Sequence, residues 1–161
     1  GLIIKAQVSA VANSSLPFLL ELAQQQTDSS AKKLGKLNAL QQEAEKKLQL
    51  LAQYRQNYQI HLQNARATGV DQAELLNFMA FMTKLDAAIA EQKQAVVHAQ
   101  HNRAAANDEY LAHQRKLKSF ETLVQRQHVA ENKKQLKSEQ KLQDEFASNA
   151  YHRKSSAPKE S

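Results

Sequence analysis

The chain has 161 residues and a formal net charge of +6, with three glycines, two prolines, no cysteine and no tryptophan. The lack of cysteine excludes disulfide bonds and thiolate metal sites, and no run approaches the roughly 18 apolar residues of a membrane span. Alanine, glutamine, leucine, lysine and glutamate dominate. Because these residues are strong helix formers, the composition predicts long helices with very few reversals and excludes a β-sheet.

The first fifteen residues, GLIIKAQVSAVANSS, have a short apolar character that Lys5 interrupts. They are too short for a convincing signal peptide. We therefore expect residues 1–15 to be a flexible or vector-derived start that precedes the first helix. Ser14 or Ser15 is the predicted N-cap of that helix, with Pro17 in its first turn.

The first helix is predicted over residues 16–66, where apolar residues recur at alternating spacings of three and four, as in a coiled-coil heptad. Several seats of this seam hold small or polar side chains. Its members are Leu20, Ala23, Thr27, Ser30, Leu34, Leu37, Gln41, Ala44, Leu48, Leu51, Arg55, Tyr58, Leu62 and Ala65.

A reversal is predicted at residues 67–72. Gly69 suits the left-handed conformation that ends many helices. Asp71 followed by Glu74 matches a capping box, in which two side chains satisfy the first free N–H groups of a new helix.

The second helix is predicted over residues 73–150, again from a heptad seam. Its members are Leu75, Phe78, Met82, Leu85, Ile89, Gln92, Val96, Ala99, Arg103, Ala106, Tyr110, His113, Leu117, Phe120 and Val124. After Val124 the register slips, and only Leu136, Leu142 and Phe146 continue it loosely. Residues 154–161 are predicted to be a disordered tail.

The two seams together predict an all-α fold, a long antiparallel two-helix coiled-coil hairpin. If the chain reverses at residues 67–72, the numbers of facing residues sum to about 139, and the helices extend about 75 Å and about 115 Å. Leu16 then faces Leu123, near the point where the second seam fails. About 25 residues of the second helix overhang unless residues 1–15 pair with them.

The positive charge is concentrated late in the chain, because residues 115–161 contain 11 basic and 6 acidic residues. This asymmetry favours an acidic partner. Nucleic acid is one such partner, but Arg115–Lys141 is interrupted by Glu121, Glu131 and Glu139 and lacks a series of stacking aromatics. A solvated helix face is the favoured interpretation, and we expect no nucleic-acid partner.

Other side chains give no sign of catalysis or of a cofactor. His98 and His101 could face one way, but no Glu-x-x-His pattern accompanies them, so no metal and no cofactor is expected. Neighbouring carboxylates such as Asp108 and Glu109 diverge on a helix. No phosphate-binding loop or nucleophile elbow occurs, so the chain is predicted not to be an enzyme and to have no small-molecule substrate. The polar seam residues, Gln41, Arg55, Gln92 and Arg103, are interpreted as pins that fix the register.

Apolar residues on both sides of the reversal converge on one flank. Leu51, Tyr58 and Leu85 occupy the seam, whereas Tyr54, Phe81 and Ala88 occupy the g positions beside it. The pairing rule places Tyr54 opposite Leu85, Tyr58 opposite Phe81, and Leu51 opposite Ala88. An apolar patch of this kind suggests a partner-binding site; the alternative is extra packing beside the turn.

These residues and their order resemble the FliJ family of the bacterial flagellar export apparatus. The resemblance covers residues 16–153 and rests on an ordered set of weak elements. They are Ala31-x-x-Leu34-Gly35, then Glu45-x-x-Leu48-x-x-Leu51-x-x-Tyr54-x-x-x-Tyr58, Gly69-Val70, Asn77-Phe78-x-x-Phe81-x-x-x-Leu85-x-x-Ala88-Ile89, and Leu142-x-Asp144-Glu145-Phe146-Ala147.

The resemblance implies a cytoplasmic coiled coil, peripheral on the inner membrane at the flagellar base and similar to the central stalk of rotary ATPases. It implies binding to the hexameric export ATPase, to the membrane export gate FlhA and to export chaperones. The family's gate-contacting positions match Leu51, Tyr54, Tyr58, Phe81, Leu85 and Ala88. Lys47 and Gln92 depart from the family pattern and are not carried over. Leu136, Leu142 and Phe146 are the candidate contacts for the ATPase.

Two other function classes remain open at this point. One is a generic secretion chaperone or scaffold, or a stalk protein of an injectisome. The other is a nucleic-acid-binding coiled coil, which would bind with a steep dependence on salt concentration.

Overall fold

The structure, a computed structural model, describes residues 2–156 of the chain and the side chains of residues 15–156. It contains two helices, α1 (Leu2–Thr68) and α2 (Gln72–Ser155), and no strand among the described residues. The helices pack against each other as an antiparallel hairpin, which confirms the predicted all-α fold.

The reversal between the helices occupies Gly69–Asp71, inside the predicted interval. Gly69 has a φ of 91°, a left-handed conformation that costs little only for glycine. The Gly69 N–H donates to the Arg66 carbonyl at 3.4 Å, and the Leu75 N–H donates to the Asp71 carbonyl at 3.0 Å. Asp71 thus takes the N-cap position of α2, because its carbonyl accepts the first intrahelical bond.

The outer ends of both helices lie beyond the predicted bounds. α1 begins at Leu2, so Leu2–Ser15 is helical, and the predicted N-cap at Ser14 or Ser15 is wrong. Pro17 lies inside the helix rather than in its first turn. The segment before it has leucine, isoleucine and alanine but no glycine or proline after Gly1, so nothing in it stops a helix.

At the other end, α2 continues to Ser155, and the Ser156 N–H donates to the His152 carbonyl at 3.1 Å. Lys154 and Ser155, which were assigned to the tail, are therefore helical. Residues 157–161 of the predicted tail lie outside the described residues.

The predicted seams are confirmed residue by residue. Every seam member of α1 from Leu20 to Ala65 is buried or half-buried, and in that interval only Gln26 joins them. Every seam member of α2 from Leu75 to Val124 is likewise covered, joined by Ala88, Asn107 and Gln114. Sequence spacing alone identifies these buried positions, because side chains repeat every 3.5 residues along one face of a supercoiled helix.

The chain divides into two compact units, which are described separately. The first contains Gly1–Ala23 and Lys116–Ser161, and the second contains Gln24–Arg115 with the turn. Buried residues of the second unit include Thr27, Ser30, Leu85, Val96 and Ala106. The Ser30 hydroxyl is satisfied by donating to the Thr27 carbonyl at 2.9 Å.

Polar contacts across the second unit set the register of the two helices. Gln92 Nε2 donates to the Ala44 carbonyl at 2.9 Å. Lys33 Nζ pairs with Glu109 Oε2 at 3.1 Å, and Arg55 pairs with Asp86. The residue numbers of these pairs sum to about 139, the value that the seams predict for facing residues. Gln92 and Arg55 therefore bond in the manner expected of register pins. The Gln41 Oε1 and Arg103 Nε atoms are buried without a hydrogen-bond partner.

In the first unit, the seam of α2 becomes polar. Ala23 and Leu117 are buried, but every described side chain from His128 onward is exposed. Continuing the heptad beyond Val124 gives seats occupied by polar side chains, namely Gln127, Glu131, Lys134 and Ser138. The apolar packing thus ends because the core positions of the heptad change from apolar to polar residues. The predicted overhang is also shortened, since α1 extends back to Leu2.

Candidate functional site

An aromatic cluster lies beside the turn in the second unit. The Tyr58 ring lies 4.4 Å from the Phe81 ring and 4.9 Å from the Phe78 ring, measured between centroids. The His61 ring lies 5.8 Å from the Phe78 ring. Tilted aromatic pairs at such distances add to the stability from area burial. Tyr58 therefore faces Phe81 as the pairing rule predicts, and it ties the two helices together.

The six residues predicted to contact the export gate fall into three classes of exposure. Leu85 is buried in the seam, with 8% of its surface exposed. Leu51, Tyr58 and Ala88 are half-buried. Tyr54 and Phe81 are exposed over 57% and 45% of their surfaces. The hairpin thus covers part of the set by its own packing and presents Tyr54 and Phe81 to solvent.

A shallow groove of about 260 Å³ continues this flank away from the turn. It is lined by Lys47, Leu51, Ala88, Glu91, Gln92 and Ala95. Leu51 and Ala88 share it, again as the pairing rule predicts. Phe81, Ala88 and Ala95 follow each other at seven-residue spacing on α2, so they form one stripe along the coiled coil. We call the surface made by Tyr54, Phe81 and this groove the aromatic flank.

Leu50 belongs beside the aromatic flank, although sequence reasoning missed it. It is 51% exposed and lies four residues before Tyr54, so the two side chains are neighbours on the helix surface. Its signal in the sequence was an apolar residue outside the seam, one turn from a g-position tyrosine. Phe78 was found only as a seam residue, and its contact with His61 required the structure.

The other side of the seam carries charge. Arg55 donates from Nε to an Asp86 carboxylate oxygen, and this hydrogen bond raises the pKa of Arg55 above its ordinary value. A groove of about 510 Å³ lies here, lined by Leu48, Ala52, Arg55, Asp86, Ile89, Ala90 and Lys93. The two grooves lie on opposite flanks of the same stretch of the helix pair. Leu48 and Ala52 of α1 line this groove, whereas Lys47 and Leu51 line the groove of the aromatic flank.

The candidate ATPase contacts are all highly exposed. Leu136, Leu142 and Phe146 have 66%, 63% and 77% of their surfaces exposed. Leu142 and Phe146 are four residues apart and share one side of α2, whereas Leu136 projects from another side. The structure therefore brings two of the three together. Val129, two turns before Leu136 on the same side, is also exposed, at 55%.

The basic residues of the late part of α2 are solvated. Arg115, Lys116, Lys118, Arg126, Lys133, Lys134, Lys137 and Lys141 are all exposed. No group of histidine and carboxylate side chains in the described part of the chain could hold a metal ion. Within the described residues, neither helix has a stretch apolar enough to cross a membrane.

Comparison with known proteins places these features in a family. The family model described as the flagellar FliJ protein matches residues 13–156. The flagellar FliJ proteins of Escherichia coli K12 and of Salmonella typhi are each 27% identical to this chain over 142 residues, covering 88% of the chain and 97% of the relative. No solved structure matches significantly.

The family match spans both helices, the turn and the aromatic flank. The resemblance seen in the ordered motifs is thereby confirmed, and the chain belongs to the FliJ family of flagellar proteins.

Proposed function

We propose that this protein is a non-catalytic coupling component of flagellar protein export. In this role it binds the hexameric export ATPase as a central stalk and the membrane export gate FlhA, and it associates with export chaperones. Family membership supports a role in flagellar export. The proposal makes the protein part of type III secretion, and through flagellar assembly it serves chemotaxis, from a cytoplasmic position at the inner membrane.

The exposure of Tyr54 and Phe81 is the observation on which the gate assignment depends. Both are aromatic, both lie beside a well-packed seam, and about half of each side chain remains exposed. Aromatic side chains of this kind are frequent anchors of protein interfaces. The half-buried Leu51, Tyr58 and Ala88 would supply the floor of the interface, and buried Leu85 would support it from beneath.

The ATPase contact is assigned to the late part of α2. This part is basic, its cations are exposed, and it carries exposed apolar side chains at Leu136, Leu142 and Phe146. A stalk needs such a surface outside its own seam, because the seam is consumed in holding the hairpin together. ATP hydrolysis belongs to the partner.

The test pairs two variants with two readouts. One variant carries Tyr54→Ala and Phe81→Ala, and the other carries Leu136→Ala, Leu142→Ala and Phe146→Ala. The first should lose affinity for the cytoplasmic domain of the gate by about ten-fold or more and still stimulate the purified export ATPase. The second should show the reverse pattern.

Each variant is the control for the other, since both remove exposed apolar surface from the same protein. If both variants bind the gate normally, the gate assignment is wrong. If neither variant, nor the unmodified chain, affects the ATPase, the stalk role is wrong and a scaffold or chaperone that binds export substrates takes its place.

A further inference from the structure

Two polar seats of the seam contain buried polar atoms without a hydrogen-bond partner. These atoms are Oε1 of Gln41 in α1 and Nε of Arg103 in α2. Buried polar atoms in folded proteins are nearly always hydrogen-bonded, so two exceptions in one seam require a physical explanation. The other two polar seats differ, because the side chains of Gln92 and Arg55 both form hydrogen bonds across the seam.

Rotation of the Gln41 amide group does not supply the missing bond. Its Nε2 atom donates to Glu45 Oε1 at 3.0 Å, and a carboxylate oxygen only accepts hydrogen bonds. The opposite orientation of the amide would place its oxygen against the carboxylate, and two acceptors repel each other. The oxygen is therefore the atom that remains buried.

Arg103 likewise has no compensating partner in the part of the chain that the structure describes. It forms no ion pair there, although burying part of a charged group is costly unless that part is hydrogen-bonded. The side chains of a helix lean toward its N-terminus. In the antiparallel pair, Arg103 therefore leans toward the level of Gln41, and Gln41 leans toward the level of Arg103.

The two polar seats occupy adjacent layers of the hairpin. The pairing rule places Ala99 opposite Gln41 and Leu37 opposite Arg103. We call these four residues the polar block, and all four are only half-buried. A layer of glutamine and alanine next to a layer of leucine and arginine buries less apolar surface than layers of two large apolar residues, so it contributes less to stability.

Better-covered seats lie on both sides of the polar block. On α2, the seat before the block is Val96 and the seat after it is Ala106, which are 8% and 3% exposed. The block therefore interrupts the covered seam well inside the second unit and not at its end. Fraying normally begins at the ends of a structure, so a weak place at this position would be a property of these side chains.

We propose that the polar block is a point of local opening, at which the two helices separate while the rest of the second unit stays paired. Separation lets Gln41 Oε1 and Arg103 Nε form hydrogen bonds with water, so opening costs less free energy there than at an apolar layer. This inference concerns the hairpin itself, and it is independent of the proposed contacts with the gate and the ATPase.

Amide hydrogen exchange of the full chain, resolved by residue with NMR, tests the proposal. In a uniformly paired hairpin, protection from exchange should rise from the ends of the second unit toward its interior. We expect instead a minimum at residues 37–41 and 99–103. Protection factors there should be about ten-fold lower than at Leu48 and Ala106.

Two double variants identify the cause of the minimum. Gln41→Leu with Arg103→Leu removes both unpartnered atoms and should abolish the minimum, raising protection at residues 37–41 about ten-fold. Gln92→Leu with Arg55→Leu is the matched control, because it makes the same two changes at seats whose side chains are hydrogen-bonded. This control should leave the minimum in place.

Protection at the polar block equal to that of its neighbours would overturn the proposal, because both atoms would then be satisfied in the paired hairpin. A minimum that survives Gln41→Leu with Arg103→Leu would also overturn it, as would one that the control variant removes equally. If the first double variant does not fold, Gln41→Leu alone should still raise protection at residues 37–41, and no rise would refute the proposal.

Discussion

Single side chains of the aromatic flank differ in how much of their surface the hairpin covers, and this difference separates stability from recognition. Leu85 is buried, whereas Tyr54 is mostly solvated. Both were assigned to the same interface by the family pattern. Their surroundings give them different consequences, since a buried leucine contributes through packing and an exposed tyrosine contributes chiefly when a partner covers it.

Thermal unfolding should separate the two roles at the residue scale. Replacing Leu48 and Leu85 by alanine should destabilise the protein strongly, because one buried Leu→Ala change typically costs ~2–5 kcal/mol. Replacing Tyr54 and Phe81 by alanine should cost clearly less, and circular dichroism would measure both. If the Tyr54 and Phe81 variant unfolds as early as the seam variant, the aromatic flank is core and not a binding surface.

At the scale of elements, the two helices are long because almost nothing interrupts them, and the reversal depends on three residues. The backbone of Gly69 takes the left-handed conformation, and Asp71 is the N-cap of α2. Elsewhere the helices continue through residues that often end helices, including Pro17 and Gly35 within α1. The turn is therefore the place where local conformation decides the fold.

Two glycine-to-alanine substitutions should change the stability of the protein in opposite directions. A Cβ would meet nothing within 4 Å at either Gly69 or Gly35, so backbone conformation alone decides the outcome. Gly69→Ala should destabilise the protein by about 1–2 kcal/mol because of its left-handed φ. Gly35→Ala should stabilise it by about 0.5–1 kcal/mol, because glycine in a helix interior is unfavourable. Chemical denaturation of both variants would measure the shifts, and equal signs would contradict this account of the turn.

For the whole molecule, charge and packing are distributed unequally along the chain. Residues 115–161 carry 11 of the 22 basic residues but 6 of the 16 acidic ones. In the same part of the chain, no described side chain after Gln127 is covered. The segment proposed to bind the ATPase is thus basic and helical, and its described side chains after Gln127 do not pack within the hairpin. They are therefore available to a partner.

Removing the chain after Val124 should test this division at the molecular scale. The free energy of unfolding of the unit Gln24–Arg115 should change by less than about 1 kcal/mol, because the deletion removes no buried side chain from that unit. Stimulation of the export ATPase should be lost. A chain that ends at Ser156 is the matched control and should stimulate normally. If the longer deletion also stimulates, the ATPase contact lies elsewhere.

Sequence reasoning predicted both seams, the position of the reversal and the family. It succeeded because a heptad is a one-dimensional signal: Leu20 to Ala65 and Leu75 to Val124 are placed by spacing alone. The same reasoning placed the start of α1 at residue 16, because serines and a proline resemble a cap. Helix propensity continuing back to Leu2 outweighed that local signal.

Only the tertiary structure decided which residues of the candidate site are available to a partner. Spacing places Tyr54, Phe81 and Leu85 on the same flank, but it does not say how closely the helices approach. In the folded hairpin Tyr58 packs against Phe78 and Phe81, Phe81 remains partly exposed, and Leu85 is buried. Exposure depends on neighbours from both helices, and a pattern within one helix does not contain it.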